Sequence, residues 1–199
     1  MNSSPSPLDR ASGAKSVAPR LERTPHLILG PFYPIRVRSH SREVWSGKPQ
    51  SLNEPSRVKI SGRVLDTAGR PVRDALVEVW QADQHGRYRH ADPHATQPSD
   101  PRFAGYAAQR TRASGRYFFW TLKPGAYGDG EALRAPHLHF QVTSRHYRLV
   151  TQMFFPDEPL NDRDHWYRAS RRPALLVARI VQRRDVLDLS WDIVLVRAY

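Results

Sequence analysis

The 199-residue chain contains no cysteine, which excludes disulfides, thiolate metal sites and cysteine nucleophiles together. Any metal or catalytic site must therefore be assembled from nitrogen and oxygen donors. No run approaches the roughly 18 consecutive apolar residues that span a bilayer, and the first two dozen residues lack the apolar stretch of a secretory signal. A cytoplasmic protein with no membrane partner is the expectation. Sustained amphipathic helical periodicity is missing as well, which leaves one short candidate helix over 161–169. Acidic residues are scarce, 19 against 31 Lys and Arg, for a formal net charge of +12. This excess raises nucleic acid, acidic membrane surfaces and anionic small molecules as partners without choosing among them. Hydrophobic and charged fractions of 39% and 25% are those of a soluble globular domain.

Composition divides the chain into three parts. Residues 1–24 carry serine, proline and scattered arginine with almost no large apolar side chains, and are expected to form a flexible basic N-terminal arm. Residues 25–57 read as an extended strap, because Leu27, Leu29, Phe32 and Tyr33 supply apolar weight while Pro31 and Pro34 disfavour helix. Trp45 is its expected anchor. From Val58 to the end, the period is that of strands. Val58, Ile60 and Val64 alternate with polar neighbours, 66–71 is turn chemistry, and 75–80 is a second strand. Ser114-Gly115 is expected to turn a hairpin whose return strand carries Tyr117, Phe118, Phe119 and Trp120, read together as core. Further strands are expected over 137–143, 149–155, 175–181 and 187–196. Eight or so strands with so little helix predict an all-β, two-sheet β-sandwich with long loops at one end.

Two features carry chemistry. His137 and His139 are two apart on a predicted strand, so both imidazoles face the same side and can meet at one point, a usable metal half-site. Arg134 enters the same neighbourhood through Ala135-Pro136. Tyr88 and Tyr127 each follow a strand on a glycine-flanked loop. A trivalent iron would hold such phenols as hard anionic ligands. The residues alone leave two readings open, a ferric site, or two histidines that face solvent or a polar pocket together with ordinary loop tyrosines.

The series Gly62-Arg63-Val64-Leu65-Asp66, Val77-Glu78-Val79-Trp80-Gln81-Ala82-Asp83, Gly86-Arg87-Tyr88-Arg89-His90, Lys123-Pro124-Gly125-Ala126-Tyr127, Arg134-Ala135-Pro136-His137-Leu138-His139-Phe140 and Thr151-Gln152-Met153-Phe154-Phe155 resembles the intradiol ring-cleavage dioxygenases, and most nearly the protocatechuate 3,4-dioxygenase subunits. The likeness runs in the family's order from Gly62 to about Leu160. It implies an intradiol dioxygenase β-sandwich domain over 58–199 with one mononuclear Fe(III) per catalytic chain, held by Tyr88, Tyr127, His137 and His139. The implied substrates are a catechol-type aromatic and O2, and the implied product is a cis,cis-muconate-type dicarboxylate. Arg134 is implied to stabilise negative charge on the substrate ring, Tyr127 to leave the metal as a base, and Gln152 and Tyr33 to line the substrate pocket. The family usually reads Arg-Pro-Ala-His where this chain has Arg134-Ala135-Pro136-His137, and Asp129 stands where the protocatechuate enzymes typically place tryptophan. Assembly as a homo-oligomer, or as a hetero-oligomer with a related subunit, is implied through the sandwich itself.

The same residues bear on readings of other classes. A nucleic-acid-binding sandwich would interleave exposed aromatics with Lys and Arg along its strands, a pattern that an inward Tyr117–Trp120 run does not provide, so nucleic acid is not expected as a partner. A non-catalytic subunit would lack the four donors. A zinc hydrolase built on the histidine pair lacks an Asp or Glu at an obvious third-ligand spacing.

Overall fold

Side-chain alternation decides which residues become strands and which face each strand buries. In β1 (Arg57–Asp66), Val58, Ile60 and Val64 point inward. Val77 and Val79 do so in β2 (Leu76–Trp80), and Leu138, Phe140 and Val142 in β5 (His137–Ser144). The computed structural model describes residues 20–34, 41–49, 56–89, 100–183 and 186–196. Its other strands are β3 (Tyr106–Arg110), β4 (Arg116–Leu122), β6 (Tyr147–Phe154), β7 (Arg179–Arg183), β8 (Val186–Ser190) and β9 (Ile193–Leu195), and the one α-helix among the described residues is α1 (His165–Ala169). The first sheet runs β4-β1-β8-β7, with β9 also paired to β1, and the second runs β3-β2-β5-β6. Their inner faces enclose one core of Ile60, Val79, Phe119, Phe140, Met153 and Trp191, among others. The predicted β-sandwich is the observed architecture.

Three expectations are corrected. The Ser114-Gly115 turn does not close a hairpin: β3 pairs with β2, whereas β4 pairs with β1, so this connection crosses from one sheet to the other. Local turn chemistry fixes the reversal of direction but not which edge the returning strand joins. The expected strand over 187–196 is divided into β8 and β9, because Trp191 N donates to Ser61 O (2.8 Å) and Asp192 turns aside to accept from Arg63 N (2.8 Å). The aromatic run of β4 is not wholly core. Tyr117 and Phe119 are buried, while Phe118 and Trp120 face outward beneath Arg42 (4.7 Å) and Arg57 (4.1 Å). Each of these outward ring faces is occupied by a guanidinium rather than left open for a stacking base.

Trp45 is the anchor expected of the strap, fully buried and donating from Nε1 to Asp100 Oδ2 (3.0 Å). Val44 N donates to Trp120 O and Trp120 N to Arg42 O, which covers the free edge of β4. Residues 1–19 of the expected arm lie outside the described residues. Its last part is fastened to the body, since Leu21 N donates to Thr67 O (2.8 Å) and Thr24 N to Val194 O (3.0 Å).

Gly62 meets the carbonyl of Trp191 so closely that a methyl group there would lie 1.8 Å from the oxygen. Both groups are backbone, so the clash can be relieved only by parting β1 from the β8–β9 edge. The Gly62→Ala variant is expected to lose about 3 kcal/mol of stability, read as a lower urea midpoint by circular dichroism. An unchanged midpoint would contradict this packing.

Candidate metal and catalytic site

The alternation that sends Leu138 and Phe140 into the core sends His137 and His139 to the opposite face of the second sheet. Strand register then lines up a row across that face: Tyr106 beside Trp80, Trp80 beside His139, and His139 beside Gln152. The Trp80 ring stacks on His139 at 5.0 Å and 12°. Both histidines are buried, and their Nε2 atoms stand 3.2 Å apart.

The tyrosines reach this face on two loops that pack against each other. Asp83 builds the first, with Oδ1 accepting from the backbone N–H groups of His85 (2.8 Å) and Arg87 (3.0 Å), an Asx-type turn that delivers Tyr88. Gly86, at φ +77°, lies so near the second loop that a Cβ would sit 2.6 Å from Ala126 O and 2.9 Å from Tyr127 Cβ. A side chain there would drive the two phenols apart. Tyr127 is pinned from the other side by a two-hydrogen-bond bridge to Arg134, Tyr127 N to Arg134 O (3.2 Å) and Arg134 N to Tyr127 O (2.8 Å).

The four side chains meet. Tyr88 Oη is 3.1 Å from His139 Nε2, and the two phenols share a hydrogen bond. His137 Nδ1 lies 2.6 Å from the Ala135 carbonyl, so it carries the ring proton and turns the Nε2 lone pair toward the cluster. His139 Nε2 then faces both that lone pair and the Tyr88 hydroxyl. If His139 Nε2 carries its proton toward His137, its Nδ1 is left buried without a partner, whereas a cation at the point where the Nε2 atoms and the Tyr88 oxygen meet would engage their lone pairs. The donor set therefore fits a hard metal ion, with two neutral imidazoles and two phenols that it could ionise. Among the described residues no three His, Asp or Glu side chains cluster, so the phenol oxygens are what could complete such a site.

Burial governs the charge states. It depresses His137 to about 3, aided by the Arg134 guanidinium and opposed by the Ala135 carbonyl, and it pushes His139 well below the usual imidazole range. Both rings are neutral at pH 7. Burial also raises Tyr88 well above the usual phenol range, reinforced by the neighbouring phenol. Tyr127 is raised by burial too, with Arg134 opposing the shift. Arg134 favours the ionised form of both phenols, and its Nη1 stands 3.5 Å from Tyr127 Oη.

Arg134 Nη2 donates to Gln152 Oε1 (2.6 Å), and Nη1 stands 3.5 Å from Tyr127 Oη. Gln152 is fully buried and its Nε2 has no partner. Tyr33 is placed differently from the other predicted residues. Its hydroxyl donates to Glu78 Oε1 (2.8 Å) and its ring packs edge-on to Trp80, one ring removed from His139. Its neighbour Phe32 touches the phenols instead, stacked on Tyr88 at 4.3 Å and edge-on to Tyr127 at 6.3 Å. Sequence reasoning missed Phe32 as a site residue and also missed Asp164, whose Oδ2 accepts from Arg134 Nε (2.9 Å) and Ala135 N (2.9 Å). Phe32 was visible as strap weight, but Asp164, 30 residues beyond Arg134 in sequence, left no local signal.

A family model described as Dioxygenase matches residues 28–197. The chain belongs to the intradiol dioxygenase family. It is 42% identical over 150 residues to the protocatechuate 3,4-dioxygenase beta chain of Burkholderia cepacia, covering 70% of this chain and 64% of that one. With the hydroxyquinol 1,2-dioxygenase of Rhodococcus opacus it shares 40% identity over 119 residues, covering 52% and 38%. The chain thus spans less than two thirds of the length of either relative. The dioxygenase domain of a dioxygenase and carbohydrate-binding protein fusion from Streptomyces sp. SirexAA-E has the same fold, with a TM-score of 0.66, 25% identity, and coverage of 89% of this chain and 100% of that domain. No helix among the described residues is long and apolar enough to cross a membrane.

The raised phenols give a pH dependence with a definite sign. Unfolded tyrosine ionises near pH 10, and the folded, metal-free protein holds Tyr88 and Tyr127 protonated beyond that. Their contribution is fully present below the unfolded value and is lost as pH rises past it. Metal-free protein should therefore lose stability as pH rises above about 10, and Tyr88→Phe should lose it less steeply in urea titrations. Equal slopes in the two proteins would contradict the burial of this phenol.

Proposed function

We propose that this intradiol dioxygenase family member is a catalytic chain that holds one Fe(III) through Tyr88, Tyr127, His137 and His139 and cleaves a catechol-type ring with O2 to a cis,cis-muconate-type dicarboxylate. The observation that carries the reading is the convergence of two neutral imidazoles and two phenols on one point beside a half-buried arginine. A non-catalytic companion subunit would have no use for that convergence. Bound there, the iron would supply a Lewis-acidic, redox-active centre that activates a chelated catechol toward dioxygen.

The chain's own residues supply the rest. A catechol that chelates a metal must lose its hydroxyl protons, and Tyr127, when held as phenolate, would be the base for one of them and become a neutral phenol. Tyr88 is the more deeply buried phenol, covered by Phe32 and hydrogen-bonded to His139, so it remains the fixed donor. Arg134 offsets the negative charge that develops on the ring, from a position set before substrate arrives. Gln152 lends its Oε1 to hold Arg134 and leaves Nε2 as a buried donor for a substrate oxygen. Tyr33 acts on the pocket from one ring away, through Trp80 and through its neighbour Phe32. The substrate class is a catechol, protocatechuate or hydroxyquinol-like ring, and part of the +12 charge would favour anionic members of that class. A homo-oligomer or a hetero-oligomer with a related subunit is the proposed assembly, in the cytoplasm and without a nucleic-acid partner.

Iron-loaded protein should show a visible phenolate-to-Fe(III) absorption and consume dioxygen with at least one of catechol, protocatechuate and hydroxyquinol. Tyr88→Phe or Tyr127→Phe should weaken the colour and lower turnover at least tenfold. Colourless protein that keeps full activity after iron chelation would overturn the proposal.

A further inference from the structure

Asp164 is a fully buried carboxylate with every oxygen engaged, and its two oxygens have separate tasks. Oδ1 caps the helix α1, accepting from Trp166 N (2.9 Å) and Tyr167 N (3.1 Å). Oδ2 turns the other way, toward Arg134 Nε (2.9 Å) and Ala135 N (2.9 Å). A cap alone does not require a carboxylate, since serine or asparagine serves equally well. A buried charge is costly unless paired, and its cationic partner here is Arg134, whose side chain is 12% exposed.

With Nε tethered, the guanidinium cannot pivot about its own axis. Nη2 is then directed to Gln152 Oε1 (2.6 Å) and Nη1 toward Tyr127 Oη (3.5 Å). Three anchors on a planar group fix both its position and its plane. The same carboxylate oxygen also holds the backbone at Ala135, one residue after Arg134.

We propose that Asp164 is the positioning residue of the site: its Oδ2 locks the Arg134 guanidinium in the plane that faces Tyr127 and the reacting ring. This rests on the dioxygenase reading given above. Asp164 has no contact with the phenol oxygens or imidazole nitrogens of the cluster, and acts through Arg134 and the backbone at Ala135.

The test is a double-mutant cycle on the full chain, comprising wild type, Asp164→Asn, Arg134→Ala and the double variant, each loaded with iron. Asparagine keeps an oxygen for the helix cap but presents an NH2 group to Arg134 Nε. Asp164→Asn should retain iron content and the visible band, leave KM for the catechol within about threefold, and lose kcat roughly a hundredfold. In the Arg134→Ala background the same change should cost less than about threefold. Equal losses in both backgrounds, an unchanged kcat, or loss of the iron band in Asp164→Asn would overturn the proposal. If the asparagine variant fails to fold, Asp164→Ser, which preserves the cap, takes its place in the cycle. Failure of both to fold while Arg134→Ala folds would make Asp164 a fold determinant and equally overturn the proposal. A second readout is independent of activity. In metal-free protein, the Arg134 Nε–H should give a slowly exchanging NMR signal that is lost in Asp164→Asn. If wild-type protein binds iron yet consumes no dioxygen with any catechol, the dioxygenase reading fails, and this signal alone decides whether the clamp exists.

Discussion

Everything at the candidate site follows from the two-residue period of β5. Leu138, Phe140 and Val142 are committed to the core between the sheets, and that commitment obliges His137 and His139 to project from the other face. A slip of one residue in register would bury the histidines between the sheets and expose three large apolar side chains. The histidine pair is therefore held in register by the same hydrophobic burial that stabilises the sandwich. The row Tyr106, Trp80, His139 and Gln152 is the visible result of that register across four strands.

A second layer encloses this face. The strap brings Phe32 onto Tyr88, the loop carrying Tyr88 packs on the loop carrying Tyr127, and the turn before α1 brings Asp164 beneath Arg134. Each covering segment removes water, so the imidazoles stay neutral and the phenols protonated. A site of uncharged donors with one locked guanidinium can accept a highly charged cation without the repulsion that clustered carboxylates would cause in its absence. That same guanidinium stands 3.5 Å from the Tyr127 hydroxyl, which gives two chemically identical side chains different surroundings.

The strand pattern was largely legible because alternation is local. Val58, Ile60 and Val64, and likewise Leu138, Phe140 and Val142, declare their strands without help from the rest of the chain. The pairing of those strands was not legible. Residues 113–115 carry good turn chemistry, yet the strands on either side belong to different sheets, because partner choice is made by the whole core. The reading of Tyr117 to Trp120 as uniformly core failed for a related reason. Alternation divides the run, and the arginines over Phe118 and Trp120 come partly from the strap, far away in sequence.

The sequence by itself determined the kind of chemistry available. Without cysteine, any site had to draw on nitrogen and oxygen donors, a His-x-His strand and two loop tyrosines were its candidates, and the ordered motifs from Gly62 to about Leu160 resemble the intradiol dioxygenases. Tertiary structure decided which groups act together. It brought Phe32 to the phenols, turned the Tyr33 hydroxyl to Glu78 instead, and supplied Asp164 as the anchor of Arg134. Those contacts join segments tens of residues apart, and only the packing of two sheets and their covering loops fixes such distances.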